Sequence, residues 1–315
     1  MAAKTKARSA RQDTYELITE RLIDVMDRGE IPWRKTWQGG EAGMPRSLNT
    51  GRAYRGINTV ILTIVGSFYD SPYWLTFKQA KAMGGSVRKG EKGTSIVFWS
   101  TFTPKDAAGE PATKKDGKPE SRLFLKRYTV FNLEQTEDVC IPKGRELPER
   151  ELPGGDAQDE AACNAAAAIF AEYTEREAIS VAYGGGRACY SPTADGIRLP
   201  KQESFECAED FHATSLHEAT HSTGTSSRCA RPGIEDFDYS GSHQYADEEL
   251  VAEFGASFLC SMAGIDRDEQ IENSAAYLAS WKKRCLADPK LLIYAAQRAQ
   301  KAADYILGET AGEAD

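Results

Sequence analysis

Residues 215–222 read Ser-Leu-His-Glu-Ala-Thr-His-Ser, and this stretch predicts a metal-binding helix in the second half of the chain. His217 and His221 are four residues apart, so on a helix both imidazoles lie on one face and can bind the same divalent metal ion. Glu218 lies between them and is placed to act as a general base beside that metal. We therefore predict a metal-binding helix over Phe211–Thr223, with Glu218 as its catalytic residue.

The third protein ligand is expected downstream, because a catalytic site of this kind needs three protein ligands and one open position. The segment YADEELVAEFGASFL, residues 245–259, places Glu249 and Glu253 four apart on one face of a predicted helix. We predict that Glu249 binds the metal and that Glu253 orients a ligand histidine, although the reverse assignment stays open. Three neighbours remain as further candidates for the third ligand: His243, Asp247 and Glu248.

The chemistry of the site follows from its donor set. Two imidazoles and a carboxylate accept one divalent metal, for which Zn²⁺ is our expectation and Mn²⁺ the alternative. Serine or cysteine catalysis is disfavoured, because no GxSxG occurs and Cys189 and Cys207 have no histidine partner that the metal motif does not already use. The chain has seven cysteines but no CxxC pair, which makes a disulfide framework or a zinc ribbon unlikely. Their odd number and wide spacing are typical of free thiols in a reducing cytosol.

The length and composition exclude several protein classes. A chain of 315 residues favours two domains, at about 150 residues each. The mean hydropathy is -0.51, and no apolar run approaches the ~18 residues that span a bilayer, so no membrane contact is expected. The start, MAAKTKARSARQD, is basic without an apolar stretch behind it, which argues against a secretory signal. We expect a cytoplasmic protein.

Charge divides the sequence into two unlike halves. Residues 1–140 carry 23 Lys and Arg against 16 Asp and Glu, whereas residues 141–315 carry 16 against 31. Near the change of sign, PKGRELPERELPGGDAQDE (142–160) holds three prolines and many charges, as linkers do. We predict a domain at residues 1–140, a linker at 141–160 and a second domain at 161–315, each able to fold separately.

Both halves mix helical and strand patterns, which predicts an α+β fold class. The first half is predicted to be a helical/β-hairpin domain. Its predicted helices cover residues 14–33, 57–68 and 74–81. Its predicted strands cover residues 93–104 and 122–136, and residues 105–120 form the hairpin loop between them. In the second half strands and turns are predicted within residues 179–200, and helices over residues 161–177, 211–223, 248–263 and 275–307, the last broken at Asp288-Pro289.

Cations and aromatic rings alternate in the first half of the chain, as in NTGRAYRGIN (49–58) and GGSVRKGEKG (84–93). Cations neutralise phosphates and exposed rings stack on unpaired bases, so the combination predicts binding of single-stranded DNA. Each ring could equally be a core residue. The predicted DNA-binding residues are Arg52, Tyr54, Arg55, Trp74, Lys78, Arg88, Lys89 and Lys92.

Five segments carry a family resemblance, and they occur in the order NTGRAYRGIN, YWLTFKQAKAMGGSVRKGEKG, ACYSPTADGIRLP, LHEATHSTG and YADEELVAEFGASFL. Through them the chain resembles the ArdC-type antirestriction proteins of conjugative plasmids, from about Tyr15 to Ala263. The resemblance implies an N-terminal single-stranded DNA-binding domain, a C-terminal zincin-like metallopeptidase domain, and protection of incoming plasmid DNA from host restriction.

The resemblance also implies roles for individual residues. The zincin ligands correspond to His217, His221 and Glu249, and the general base corresponds to Glu218. Thr220 departs from the Gly or Ala that many such proteins carry at its position. Two residues are candidates for a transition-state tyrosine: Tyr239 and Tyr245.

Three functions remain open at this stage. The first is an antirestriction protein that binds single-stranded DNA and has a metal site. The second is a peptidase that the basic half delivers to a host restriction protein or another DNA-associated protein. The third is a DNA-binding module whose metal serves only structure. The excess of acidic residues after residue 140 would favour a basic peptide segment as substrate.

Overall fold

The computed structural model of the protein describes residues 13–33, 43–104, 122–144, 156–235, 243–265 and 274–309. The predicted hairpin loop at 105–120, most of the predicted linker and Tyr239 lie outside these ranges. The helices are α1 (Thr14–Met26), α2 (Ile57–Gly66), α3 (Phe77–Ala82), α4 (Asp156–Arg176), α5 (Ala208–Ser222), α6 (Pro232–Glu235), α7 (His243–Ala263), α8 (Ser274–Ala287) and α9 (Leu291–Leu307). The strands are β1 (Arg46–Ser47), β2 (Tyr73–Thr76), β3 (Ser86–Val87), β4 (Thr94–Phe102), β5 (Arg122–Asn132), β6 (Thr136–Glu137), β7 (Ser180–Tyr183), β8 (Cys189–Ser191) and β9 (Gly196–Leu199). This mixture confirms the predicted α+β class.

The first half of the chain is built on a four-stranded sheet in the order β1-β2-β5-β4. Strands β4 and β5 form the predicted antiparallel hairpin, and β2 pairs antiparallel with the other edge of β5. Helix α2 is fixed to this sheet by Asn58, whose side chain donates to the carbonyl of Val97 at 2.6 Å and accepts from its N–H at 2.9 Å. A second, two-stranded sheet pairs β3 with β6.

The predicted helix over residues 74–81 is wrong in its first turn. Residues Tyr73–Thr76 form β2, and α3 begins only at Phe77. Thr76 caps that helix: its Oγ1 accepts from the N–H of Gln79 at 3.2 Å, and the Gln79 side chain accepts from the N–H of Thr76 at 2.7 Å. This reciprocal capping box sets the start of the helix, so the apolar residues before it are free to extend the sheet.

The second half places its helices around a three-stranded sheet in the order β7-β9-β8. Strand β9 pairs parallel with β7 and antiparallel with β8, which leaves β8 at an edge. Both β8 and β9 contact α5, the helix with the two motif histidines, and α5 in turn contacts α7. Helices α4 and α7 begin five residues before their predicted starts at residues 161 and 248.

The main hydrophobic core runs through both halves. Trp33, which follows α1, is 1% exposed, and its ring centroid lies 4.6 Å from that of Phe254 on α7 and 5.2 Å from that of Trp281 on α8. Ile61 of α2 and Val97 of β4 belong to the same buried cluster. The predicted domain boundaries stay a prediction, but the packing makes the two halves share a core. In the described ranges no helix is both long and apolar enough to cross a bilayer.

Candidate metal centre and nucleic-acid surface

Helix α5 carries the two motif histidines on one face, as the four-residue spacing predicts. The Nε2 atoms of His217 and His221 are 3.1 Å apart. Leu216 and Ala219, on other faces of the helix, are fully buried, which fixes its rotation about its own axis. The His221 side chain is 9% exposed and the His217 side chain is 19% exposed, so solvent reaches the two imidazoles from the side of His217.

Glu249 on α7 completes a group of three ligand-type side chains. Its Oε2 lies 3.6 Å from Nε2 of His217, and its Oε1 lies 3.5 Å from Nε2 of His221. Ligand atoms about 2.0–2.2 Å from one tetrahedral metal are about 3.3–3.6 Å apart, so this donor set fits a single divalent ion. Among the described residues, these three side chains form a group of His and Glu ligands whose ligand atoms all lie within 4.8 Å of one another.

A buried ion pair orients His221. Its Nδ1 lies 3.3 Å from Oε1 of Glu248, so a proton on Nδ1 is donated to that carboxylate and the Nε2 lone pair is left for a metal. The guanidinium of Arg231 donates to both oxygens of Glu248, at 2.6 and 2.9 Å, and to the carbonyl of Thr220 at 2.7 Å. The three side chains of this chain of contacts are all buried.

The protonation of the site reflects the same neighbours. Burial alone would lower the pKa of His221, but hydrogen bonds to Glu248 and Glu249 outweigh it and raise that pKa to about 10, so a metal ion has to displace a proton from Nε2 when it binds. Burial would raise the pKa of Glu249, yet its hydrogen bonds with His217 and His221 hold it well below its usual range. The carboxylate is therefore charged and attracts a cation to the space between the imidazoles.

The other predicted residues of the site lie close by. Glu253 Oε1 is 4.0 Å from Nδ1 of His217, which is too long for a hydrogen bond. The carboxylate at hydrogen-bond distance from a ligand histidine is therefore Glu248, which the sequence offered only as a possible ligand. Glu218, the predicted general base, is buried on α5 at 7% exposure. The side chain of Tyr245, like the whole of Tyr239, lies outside the described part of the chain.

A second polar network holds the end of the metal-binding helix. The buried guanidinium of Arg228 donates to Asp195 at 2.8 Å, to Glu177 at 3.1 Å and to the carbonyl of Ser222 at 2.9 Å. Hydrogen bonds from Arg228 and Tyr190 hold the pKa of Asp195 below its usual range. The network ties α5 to α4 and to the turn between β8 and β9, and nothing in the spacing of these residues indicates it.

The predicted DNA-binding residues differ in their accessibility. Trp74 is 1% exposed in β2 and packs with Leu62, Ile96 and Val130, so the prediction that it stacks on DNA is wrong. Its ring is part of the core against the sheet, as the alternative interpretation of each aromatic residue as a core residue predicted. Tyr54 is half-buried against the same cluster. All six predicted cations are exposed: Arg52, Arg55, Lys78, Arg88, Lys89 and Lys92.

Two predicted arginines are engaged with carboxylates. Arg55 pairs with Asp304 of α9 and, at 3.7 Å, with Glu309. Arg88 pairs with Glu91 at 2.8 Å. The Arg55 contact crosses between the two halves, so this residue joins them as well as carrying charge. Pairing reduces what either guanidinium offers to a phosphate.

Comparisons with known proteins agree with the two-part organisation. A family model described as the N-terminal domain of anti-restriction factor ArdC matches residues 12–131, and one described as a zincin-like metallopeptidase matches residues 166–298. The chain is 34% identical to DNA primase TraC of Escherichia coli and 31% identical to the uncharacterized protein y4eC of Sinorhizobium fredii, with 93% of this chain covered in both. It spans only 20% and 27% of the length of two TraC primases, but 91% of y4eC.

Two solved structures are similar over nearly the whole chain. One is a metal-free crystal structure of the antirestriction protein ArdC from plasmid R388, with 36% identity, a TM-score of 0.70 and coverage of 94% of this chain and 97% of that one. The other is the Mn(II)-bound structure of ArdC from R388, with 35% identity, a TM-score of 0.67 and coverage of 96% and 100%. The chain therefore belongs to the ArdC antirestriction family, with an ArdC-type N-terminal domain followed by a zincin-like metallopeptidase domain.

Proposed function

We propose that the protein binds single-stranded DNA through its N-terminal half and protects incoming conjugative plasmid DNA from host restriction, with a metal-dependent peptidase-like site in its C-terminal half. The observation that carries this proposal is the convergence of His217, His221 and Glu249 beside the buried Glu218, in a member of the ArdC family. The excess of Lys and Arg over residues 1–140 supports the DNA-binding part.

The metal site has the parts that hydrolysis requires. A divalent metal held by His217, His221 and Glu249 would supply Lewis-acid polarisation of a water or a carbonyl. Zn²⁺ is our proposal for that metal, and the Mn(II)-bound ArdC structure keeps Mn²⁺ as the alternative. Glu218 would accept a proton at its carboxylate and return it to a leaving group. Glu248 holds His221 with Nε2 facing the other ligands.

A conjugation assay tests the proposal. Plasmid DNA is transferred into restricting and non-restricting recipients, and the ratio of the two transfer rates measures protection. Compared with a plasmid that lacks the gene, wild type should raise the transfer rate into restricting recipients relative to that into non-restricting recipients. His217→Ala should not raise it. A wild-type protein that leaves the ratio unchanged would contradict the proposed function.

Glu218→Gln separates the role of the metal site from that of DNA binding. If water activation is required, this variant should keep its metal and its DNA binding but lose protection. Retained protection in Glu218→Gln with loss in His217→Ala would indicate a metal that serves structure. Retained protection in both variants would indicate that DNA binding alone suffices.

The second candidate function is a peptidase directed at a DNA-associated protein. The acidic balance of residues 141–315, 31 acidic against 16 basic residues, favours a basic peptide segment in the cleft. Two parallel reactions would test this. In the first, the metal-loaded wild-type protein is incubated with a purified restriction endonuclease, and in the second, its Glu218→Gln variant is incubated with the same endonuclease. New peptide fragments in the first reaction alone are the expected sign of turnover.

A further inference from the structure

The hairpin formed by β4 and β5 has two faces with different surroundings. On one face, Val97 belongs to the main core and Trp99 and Leu125 pack against it. The Trp99 ring centroid lies 5.5 Å from that of Tyr294 on α9. This face is therefore covered by the rest of the protein. Among the described residues, the opposite face is covered at its base, where Ile96 is buried and Phe98 and Tyr128 pack partly buried against it, and it is more exposed towards the outer end of the hairpin.

Four aromatic rings lie along the open face in two cross-strand pairs. The ring centroids of Phe102 and Phe124 are 5.7 Å apart, and those of Phe98 and Tyr128 are 5.4 Å apart, both pairs meeting edge to face. The register pairs Phe98 with Lys126, so each aromatic pair is diagonal across the two strands. Four residues separate the pairs along β4, which corresponds to about 13 Å.

The outer pair is unusually accessible for phenylalanine. Phe102 is 46% exposed and Phe124 38% exposed, whereas Trp74 on the neighbouring strand is 1% exposed. Apolar rings on a sheet face cost free energy while they contact water, and grouped exposure of this kind indicates a binding surface. The edge-to-face geometry leaves flat ring surface for a further aromatic group.

The charge of the same face is positive. The exposed Lys126 lies between the two aromatic pairs, with its Nζ 5.0 Å from the centroid of the Tyr128 ring. Neither β4, TSIVFWSTF, nor β5, RLFLKRYTVFN, contains an Asp or Glu. Rings that can stack and a cation without a neighbouring acid on either strand are the combination that single-stranded nucleic acid requires.

We propose that the hairpin face, defined by Phe98, Phe102, Phe124, Lys126 and Tyr128, is the surface on which single-stranded DNA stacks its bases. This assignment rests on the proposed function and gives it a location that the eight predicted contact residues do not include. Unpaired bases stack on the exposed rings of Phe102 and Phe124, and Lys126 neutralises a phosphate between the two pairs. Duplex DNA is disfavoured, because its bases are already stacked on one another.

The test uses the full-length protein and fluorescence anisotropy with a labelled oligothymidine and a labelled duplex of mixed sequence. Phe102→Ala and Phe124→Ala should each weaken binding of the single strand by about 5- to 150-fold, the range expected for loss of one stacked base. Phe102→Leu should weaken it comparably, because it keeps apolar volume without the ring. Lys126→Ala should make the slope of the logarithm of the binding constant against the logarithm of the salt concentration shallower by about 1, as expected for the loss of one phosphate contact.

Tyr183→Ala is the matched control, because this ring on β7 is 59% exposed but lies in the acidic half. It should bind single-stranded DNA like wild type. The melting temperature and circular dichroism of every variant are compared with wild type, and Phe102→Leu carries the test if an alanine variant unfolds.

Three results would overturn the hairpin face. Unchanged binding in folded Phe102→Leu and Phe124→Ala, with firm binding by wild type, would reject the surface and leave the proposed function standing. No binding of the single strand by wild type would reject both. If light scattering finds wild type to be a dimer and Phe102→Leu a monomer that binds DNA unchanged, the face joins two copies of the chain instead.

Discussion

The side chain of Thr220 on α5 occupies the space that Gly255 leaves open on α7. A Cβ atom at position 255 would lie 2.5 Å from Cγ2 and 2.7 Å from Oγ1 of Thr220, closer than real atoms approach. The Thr220 hydroxyl donates to the carbonyl of Leu216 at 2.8 Å, so its rotamer is held. Because Thr220 precedes His221 and Gly255 is on the helix of Glu249, this contact sets how closely the ligands from the two helices approach.

Gly255→Ala should destabilise the fold, because the added methyl group has to displace Thr220 or separate the two helices. Overpacking of this kind costs about 1–3 kcal/mol, against which the higher helix propensity of alanine returns up to about 1 kcal/mol. The free energy of unfolding in urea measures the difference. The Thr220→Ala/Gly255→Ala double variant should recover part of the loss, and strictly additive effects would show that the contact does not matter.

His217→Ala and Glu249→Gln should each abolish stoichiometric metal, because each removes one of three convergent ligands. Elemental analysis of the purified protein measures this directly. His212→Ala is the matched control, since His212 is also a buried histidine on α5 but lies outside the ligand group. Full metal content in His217→Ala would contradict the site.

The orienting role of the neighbouring glutamates is measured by metal affinity. Glu248→Gln should weaken it by about 10- to 100-fold, because Glu248 accepts the Nδ1 proton of His221. Glu253→Ala should have a smaller effect at its distance of 4.0 Å from His217. The opposite ranking of these two variants would restore the role predicted for Glu253.

Stability should fall in acid through the Arg228 network. Hydrogen bonds from Arg228 lower the pKa of Asp195. Burial would raise the pKa of Glu177, but its hydrogen bonds with Tyr305 and Arg228 outweigh burial and lower that pKa as well. Groups with a lowered pKa bind fewer protons when folded, so their contribution is complete above about pH 5 and declines as the pH falls below about 4.

Urea unfolding between pH 7 and 3 measures that decline. Asp195→Asn should be less stable at pH 7 and should lose less stability on acidification than wild type. Glu203→Gln, which alters an exposed carboxylate outside the network, should keep the wild-type profile. An unchanged profile in Asp195→Asn would remove this network as a source of the pH dependence.

Trp33→Ala should destabilise both halves of the protein together. The ring is fully enclosed against Phe254 and Trp281, so its loss leaves a cavity that costs about 3–5 kcal/mol. A single cooperative transition at lower denaturant is expected in this variant. Two separate transitions, one of them unaffected, would instead support independently folding domains.

The sequence determined those features that depend on local spacing. Two histidines four residues apart on a helix share a face in any context, so the convergence of His217 and His221 could be predicted. Alternating β-branched and aromatic residues likewise predicted the β4–β5 hairpin. Glu249 was predicted from its neighbourhood on a second helix, and the structure brings it to the histidines.

Contacts between side chains of different elements could be known from the folded chain alone. The contact of Arg231 with Glu248 and His221 joins three segments of the chain, and no periodicity relates them. Trp74 and Phe124 lie on the same face of the sheet, yet one is buried and the other exposed, because Leu62 of α2 packs over the base of that face near Trp74 and not over Phe124. Burial and pairing are properties of the packed chain, so sequence patterns indicate candidates for a surface and the fold selects among them.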